Sequence, residues 1–250
     1  MKRLNRLLIT LAIALVATSA RAYPTLQLDI SGGTYDTPTQ TIMAPANTFA
    51  LYAYGLSTGP QAISLADKFF VSMAVVPSTT TPGSYGSFTV NGTTVNVTSD
   101  MSAGGPPLEA SGLFDPGDLA AHGVFPTYFS EQAFYFSSGN QSAQYNTQDD
   151  AGAGPQTGTG MYYMQFDFNV SGLAPGLGIH FDLYNEQLIE KCKKVGGCTP
   201  VDLDINQFAP FSHDAEGAVA VVPEPESYAM LLAGLGLLGF TARRRKQKAA

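Results

Sequence analysis

In the stretch MQFDFNV, Met164, Phe166, Phe168 and Val170 share one parity, and Gln165, Asp167 and Asn169 share the other. A β-strand points successive side chains to opposite faces, so this alternation commits the segment to one apolar and one polar face. GIHFDLY repeats the pattern, with Ile179, Phe181 and Leu183 set against His180 and Asp182. Similar runs occur at 25–30, where Leu26, Leu28 and Ile30 face inward, and at 49–54, 69–76, 87–90, 94–98, 133–137 and 218–222. Turn-forming residues break these runs at the spacing of a sandwich or barrel. Asn91-Gly92 is the clearest hairpin signal, because both residues tolerate the positive φ of a tight type I′ turn. No repeat of fixed period occurs, which argues against a solenoid or propeller. The pattern predicts an all-β protein: a mainly antiparallel, jelly-roll-like β-sandwich forming one domain over 23–222. Helical periodicity is confined to 185–194, through Leu188 and Ile189, and to the neighbourhood of 116–121. Residues 137–160 are polar, glycine-rich and too long for an ordinary connection, and are expected to be mobile.

Both ends depart from this pattern. Lys2, Arg3 and Arg6 precede an apolar run over 7–17 broken only by Thr10, and Ala20-Arg21-Ala22 follows. This is the layout of a secretory signal over 1–22, with an apolar run too short for a stable transmembrane helix, to be removed by signal peptidase before Tyr23. At the other end Pro223-Glu224-Pro225 stays extended and accessible, because each proline lacks an N–H and disfavours helix in its predecessor. Residues 228–242 carry no charge; as a helix they span about 22 Å, against a hydrocarbon core of about 30 Å. A single short C-terminal transmembrane helix is therefore expected, in transient contact with the inner membrane and weakened by Gly234, Gly236 and Gly239. The basic end over 243–248, with Arg243, Arg244, Arg245 and Lys246 as its stop-transfer cluster, stays on the cytoplasmic side and leaves the body outside.

These three parts, in this order, resemble the PEP-CTERM sorting tail of Gram-negative bacteria, here over 223–250. Pro223, Glu224 and Pro225 match its name-giving motif, 228–240 its helix, and Arg243, Arg244 and Arg245 its basic end. The resemblance implies that an exosortase, a membrane-embedded cysteine transpeptidase, recognises the tail, cuts near the motif and passes the body toward the cell surface or extracellular matrix. Pro223, Glu224 and Pro225 would then act as substrate. In the body, LQLDISGGTYD (26–36), FALYAYG (49–55), GIHFDLYN (178–185) and FAPFSHDAEG (208–217) resemble the choice-of-anchor N group of exosortase-dependent surface proteins. That likeness implies export and display, and supplies no active site. The role it suggests is structural or matrix-associated, with exopolysaccharide as a candidate partner.

Between the two ends four lysines, Lys68, Lys191, Lys193 and Lys194, stand against eighteen acids, which leaves a net charge of −14. Such a field repels a phosphate backbone and argues against a nucleic-acid partner. Cys192 and Cys198, in EKCKKVGGCTP, are expected to form a disulfide in an exported chain, with Gly196-Gly197 supplying the turn. Closing so small a loop contributes roughly 2 kcal/mol. Neither a Gly-x-Ser-x-Gly elbow nor a phosphate loop is present, no catalytic residue is assigned, and the chain is not expected to be an enzyme. An acidic exported body suits a hard cation. Asp202 and Asp204, two apart in an extended stretch, with His213, Asp214 and Glu216, are the candidate ligands of a structural Ca²⁺, although the Asp-rich calcium loop is missing. No other cofactor is expected. Two rival functions stay open: a carbohydrate-binding module using strand tyrosines such as Tyr52, Tyr54 and Tyr163, and a secreted glycan-acting enzyme drawing a carboxylate pair from Asp167, Asp182, Asp202 and Asp204.

Overall fold

The structure, a computed structural model, describes residues 23–108, 119, 122–193 and 197–219. Two sheets face each other. The first is ordered β1 (Leu26–Ile30), β4 (Thr48–Leu56), β11 (Gly160–Asn169), β6 (Ser87–Val90) and β7 (Thr93–Asn96), with β10 (Gln141–Ala143) also paired to β11. The second is ordered β2 (Thr34–Asp36), β3 (Thr41–Met43), β14 (Asp214–Ala218), β12 (Gly178–Lys193), β5 (Phe69–Val76), β9 (Thr127–Phe134) and β8 (Ser102–Gly104), with β13 (Gly197–Phe208) also paired to β12. Described strand pairs are antiparallel except β3 with β14, which run parallel. The all-β, largely antiparallel expectation therefore holds, and the hairpin at Asn91-Gly92 joins β6 to β7 with both residues at positive φ.

The alternation read from the sequence places the core. Leu26, Leu28 and Ile30 of β1 and Phe166 and Phe168 of β11 meet Val71, Met73 and Val75 of β5 and Ile179, Phe181 and Leu183 of β12. The Phe181 ring lies 4.6 Å from that of Phe168 and 6.0 Å from that of Phe49, which ties the sheets face to face. Burying each such side chain contributes about 1.5–3 kcal/mol. Gly217 on β14 is needed for this closeness: a Cβ there would stand 2.3 Å from the Phe49 ring.

Three expectations are corrected. Residues 185–193 of the helix expected at 185–194 do not form one. β12 continues through them as a strand, and from Glu186 onward it pairs with β13 as a two-stranded arm that β5 no longer flanks. Leu188 stays half exposed on this arm, so its helical spacing meets no core that would reward it, whereas the ladder to β13 satisfies the backbone. Residues 137–160, expected to be mobile, are instead tied down: 141–143 join the first sheet as β10, and the chain after them is hydrogen-bonded to the outward row of β1. Gln27 Nε2 donates to the Tyr145 carbonyl at 2.8 Å, and Thr147 N donates to Gln27 Oε1 at 3.1 Å. Asp29 accepts from Gly152 N at 2.7 Å, Gly154 N at 3.0 Å and Tyr145 Oη at 2.8 Å. The strand expected at 133–137 overlaps only the end of β9, which begins at Thr127 and stops at Phe134.

The expected signal at 1–22, most of the stretch at 116–121, the last residues of the 218–222 run and the sorting tail at 223–250 with its apolar helix lie outside the described residues. Among the described residues no helix is long and apolar enough to cross a membrane.

Candidate functional site

Period-two alternation assigns His180 and Asp182 to the face of β12 turned away from the core. That face is not in solvent: His180 is 4 % exposed and Asp182 2 %. The chain around Val124 and Phe125 crosses it and packs on Ala74 and Phe129 of the same sheet. This cover also delivers His122, whose ring stacks on Phe211 at 4.3 Å and stands 5.3 Å from the His180 ring.

Strand register assembles the rest. His180 is paired with Glu216 across the β12–β14 ladder, which brings Asp214, two residues back on the same face of β14, beside Asp182. His122 Nε2 lies 3.0 Å from Asp182 Oδ1, and His180 Nε2 lies 3.6 Å from both Asp182 Oδ1 and Asp214 Oδ2. One donor atom from each of these four side chains falls within 4.8 Å of all the others. Around them, Ser72 Oγ on β5 donates to Asp182 Oδ2 at 2.8 Å, while Glu216 Oε2 approaches His180 Nδ1 at 4.0 Å. A cavity of about 500 Å³ reaches His122, His180 and Asp214 past Thr39, Gln40 and Thr41.

The charges are strongly coupled. Burial opposes the charged His180 imidazole, but the Asp182 carboxylate and the approach of Asp214 and Glu216 outweigh it and hold the group well above its ordinary range. Burial likewise works to raise Asp182, yet His180 and His122 hold it well below the usual carboxylate range. Asp214, desolvated and facing the Asp182 charge, is pushed up to about 7. Two carboxylates and two imidazoles buried this close together can share protons or hold a cation; they cannot all carry their solution charges independently.

A second polar cluster lies further along the same row of β12. Glu131 Oε1 on β9 accepts from Tyr184 Oη at 2.6 Å and from Leu108 N at 2.8 Å, and burial raises its pKa. Burial and then the Glu131 charge push Glu186 up to about 7, against the pull of Lys68.

The five residues expected to bind Ca²⁺ are not brought together. Asp214 joins the histidine cluster and Glu216 stands at its edge, whereas Asp202 and Asp204 sit half-buried on β13 and enter no convergent group of His, Cys, Asp or Glu among the described residues. His213 is engaged elsewhere, its Nε2 2.9 Å from Asn146 Oδ1 and its Nδ1 2.9 Å from Ser212 Oγ. Burial lowers its pKa, against the nearby charge of Asp149. Asp167 and Asp182 occupy different sheets; Asp167 is exposed on β11 and accepts from Gln165 Nε2 at 2.7 Å. Cys192 and Cys198 are cross-strand neighbours joined by the expected disulfide, so the convergence of Glu190 with them offers no thiolate to a metal.

Sequence reasoning singled out Asp214 and missed His122, His180 and the metal-ligand geometry of Asp182. The usable signal was the pair of His-x-Asp and Asp-x-Glu spacings on strands, which keep both polar groups on one face.

The comparisons with known proteins bear on the tail. Residues 221–246 match the PEP-CTERM protein-sorting motif. No curated protein and no solved structure matches the chain.

Proposed function

We propose that the body of this chain serves as a structural, matrix-associated protein of the cell surface, delivered there by its sorting tail. The carrying observation is the PEP-CTERM motif at 221–246, which marks an exosortase substrate destined for export to the cell surface or beyond. The body suits exposure outside the cell: a two-sheet sandwich with a large apolar core, an acidic surface and a disulfide across its projecting arm. Membership of the body in the choice-of-anchor N group is part of the proposal. Signal peptidase at 1–22, transient residence in the inner membrane and association with exopolysaccharide belong to the same proposal.

Intact mass of the surface-located protein tests it. A species ending close to Pro225 in normal cells, replaced by a retained full-length species in cells lacking the exosortase, is the expected result. A surface protein still carrying Arg245 in both strains would overturn the sorting step. Release of correctly processed protein into the medium, with none retained in isolated matrix, would overturn the matrix role.

A further inference from the structure

We propose that His122 Nε2, His180 Nε2, Asp182 Oδ1 and Asp214 Oδ2 are the ligands of a divalent transition-metal ion, Zn²⁺ by their donor set, with a further coordination position open to the cavity.

Spacing is the first argument. Zn²⁺ binds imidazole nitrogen and carboxylate oxygen at about 2.0–2.1 Å, so tetrahedral ligands stand about 3.3 Å apart. Three of the six pairwise separations, at 3.0, 3.6 and 3.6 Å, bracket that value, and the four atoms all lie within 4.8 Å of one another. Small rotations of the same rotamers would complete the sphere.

Unsatisfied burial is the second. Side-chain exposure is 6 % for His180, 3 % for Asp182 and 2 % for Asp214, and His180 Nε2, Asp182 Oδ1 and Asp214 Oδ2 make no hydrogen bond among the described residues. A buried polar atom left without a partner is costly. These three atoms meet one another only in ion-pair contacts, His180 Nε2 standing 3.6 Å from each carboxylate oxygen, and a cation placed between them would meet all three. Two carboxylates also balance a dication when both imidazoles are neutral, which removes the cost of burying like charges together.

The outer shell is the third. Bound histidines and carboxylates are normally oriented by further hydrogen bonds or charges on their free atoms. Here Ser72 Oγ fixes Asp182 Oδ2, Glu216 faces the far nitrogen of His180, and Phe211 stacks on His122.

Donor type excludes the hard cations. Ca²⁺ takes six to eight oxygens, and Mg²⁺ an octahedral set dominated by oxygen and water. Two imidazoles in a four-ligand cluster suit Zn²⁺ and its neighbours in the transition series. The cavity past Thr39, Gln40 and Thr41 touches three of the four ligands, so water or a small anionic group would enter there and complete the coordination.

The experiment uses the purified full chain, stripped with chelator and dialysed against Zn²⁺, with metal content measured by mass spectrometry. Retention of about one Zn²⁺ per chain is expected, together with visible d–d absorption of low-symmetry character after Co²⁺ replacement. Asp214→Asn and His122→Ala should each weaken Zn²⁺ by at least about a hundredfold, while Ser72→Ala should weaken it by about tenfold or more. Far-UV dichroism and the metal-free urea midpoint identify variants that have kept their fold. No retained Zn²⁺ in the wild type, or retention undiminished in folded Asp214→Asn, would overturn the site. A midpoint raised by Ca²⁺ and not by Zn²⁺ would overturn the choice of metal. None of these results depends on whether the tail is processed.

Discussion

Asp29 on β1 and Asp182 on β12 are both buried aspartates on the outer face of a sheet, and each is covered by connecting chain. They are completed differently. The segment over Asp29 supplies two backbone amides and a tyrosine hydroxyl, so both carboxylate oxygens are used. Burial still raises its pKa, and those hydrogen bonds oppose the rise. The segment over Asp182 supplies an imidazole, and the adjoining strand supplies a second carboxylate. One arrangement is finished by the chain itself and locks a loop to a sheet. The other leaves convergent lone pairs, the signature of a place kept for a guest.

The largest expected effect falls on the finished site. Asp29→Ala leaves three donors without an acceptor at once, two of them buried, and should cost about 3 kcal/mol or more of stability. Urea unfolding checks this, and the loss should be the same with Zn²⁺ or with chelator. A cost that changes with metal would show that the two sites are not separate.

The second effect should appear only when metal is present. At a Zn²⁺ concentration a hundredfold above Kd, the wild type should gain about 2.7 kcal/mol of stability over its chelated form. Folded Asp214→Asn should gain almost none, and without metal it should be no less stable than the wild type, because one of two facing buried carboxylates has gone. A metal-free loss of the size expected at Asp29 would mean that Asp214 is finished by protein contacts after all.

Why one site was half legible in sequence and the other hidden follows from what alternation encodes. Parity correctly separated Leu26, Leu28 and Ile30 from Gln27 and Asp29, and Ile179, Phe181 and Leu183 from His180 and Asp182. It could not say that the second set would be covered. Coverage depends on where 122–126 and 144–154 cross the sheets, and those segments carry no periodicity to read. The nearness of Asp214 to Asp182 is a property of register between strands that are not consecutive in the chain, and a shift of one residue would have sent the pair to opposite faces. The same gap explains the failed helix at 185–194: local spacing favoured it, and a partner strand later in the chain decided against it. The missing calcium set is the converse case, since nearness in sequence between Asp202, Asp204 and His213 did not survive the departure of β13 along the arm.

A smaller, pH-dependent effect tests how far the row of β12 behaves as independent sites. Glu186 has its pKa raised from 4.5 to about 7, so the folded state binds its proton more tightly than the unfolded chain does. The associated stability is present below about 4.5 and is lost as pH rises through about 7. Glu186→Gln should therefore flatten the decline in thermal midpoint between pH 5 and pH 8, raising the midpoint at the alkaline end and leaving it nearly unchanged at the acid end. If the decline persists in full, its source is the other carboxyls whose pKa burial raises, Asp29, Glu131 and Asp214, and adding Zn²⁺ should then remove only the share that belongs to Asp214.

The smallest global effect should come from the disulfide. Cys192 and Cys198 close the far end of the β12–β13 arm, beyond Asn185 where pairing with β5 stops. A two-stranded ribbon alone is marginal in water, and closing so short a loop offsets roughly 2 kcal/mol of disorder. That stabilisation belongs to the arm, which can open while the sandwich stays folded. Replacing both cysteines with serine should speed amide exchange across 186–193 and 197–205 and move the global unfolding free energy by less than about 0.5 kcal/mol. Zn²⁺ affinity should stay the same, because His180 and Asp182 lie on the half of β12 held by β5 on one side and β14 on the other. A matching fall in Zn²⁺ affinity would mean that strain in the arm reaches the cluster through the continuous strand, and the contrast between a finished and an unfinished site would then depend on a third region that neither cover touches.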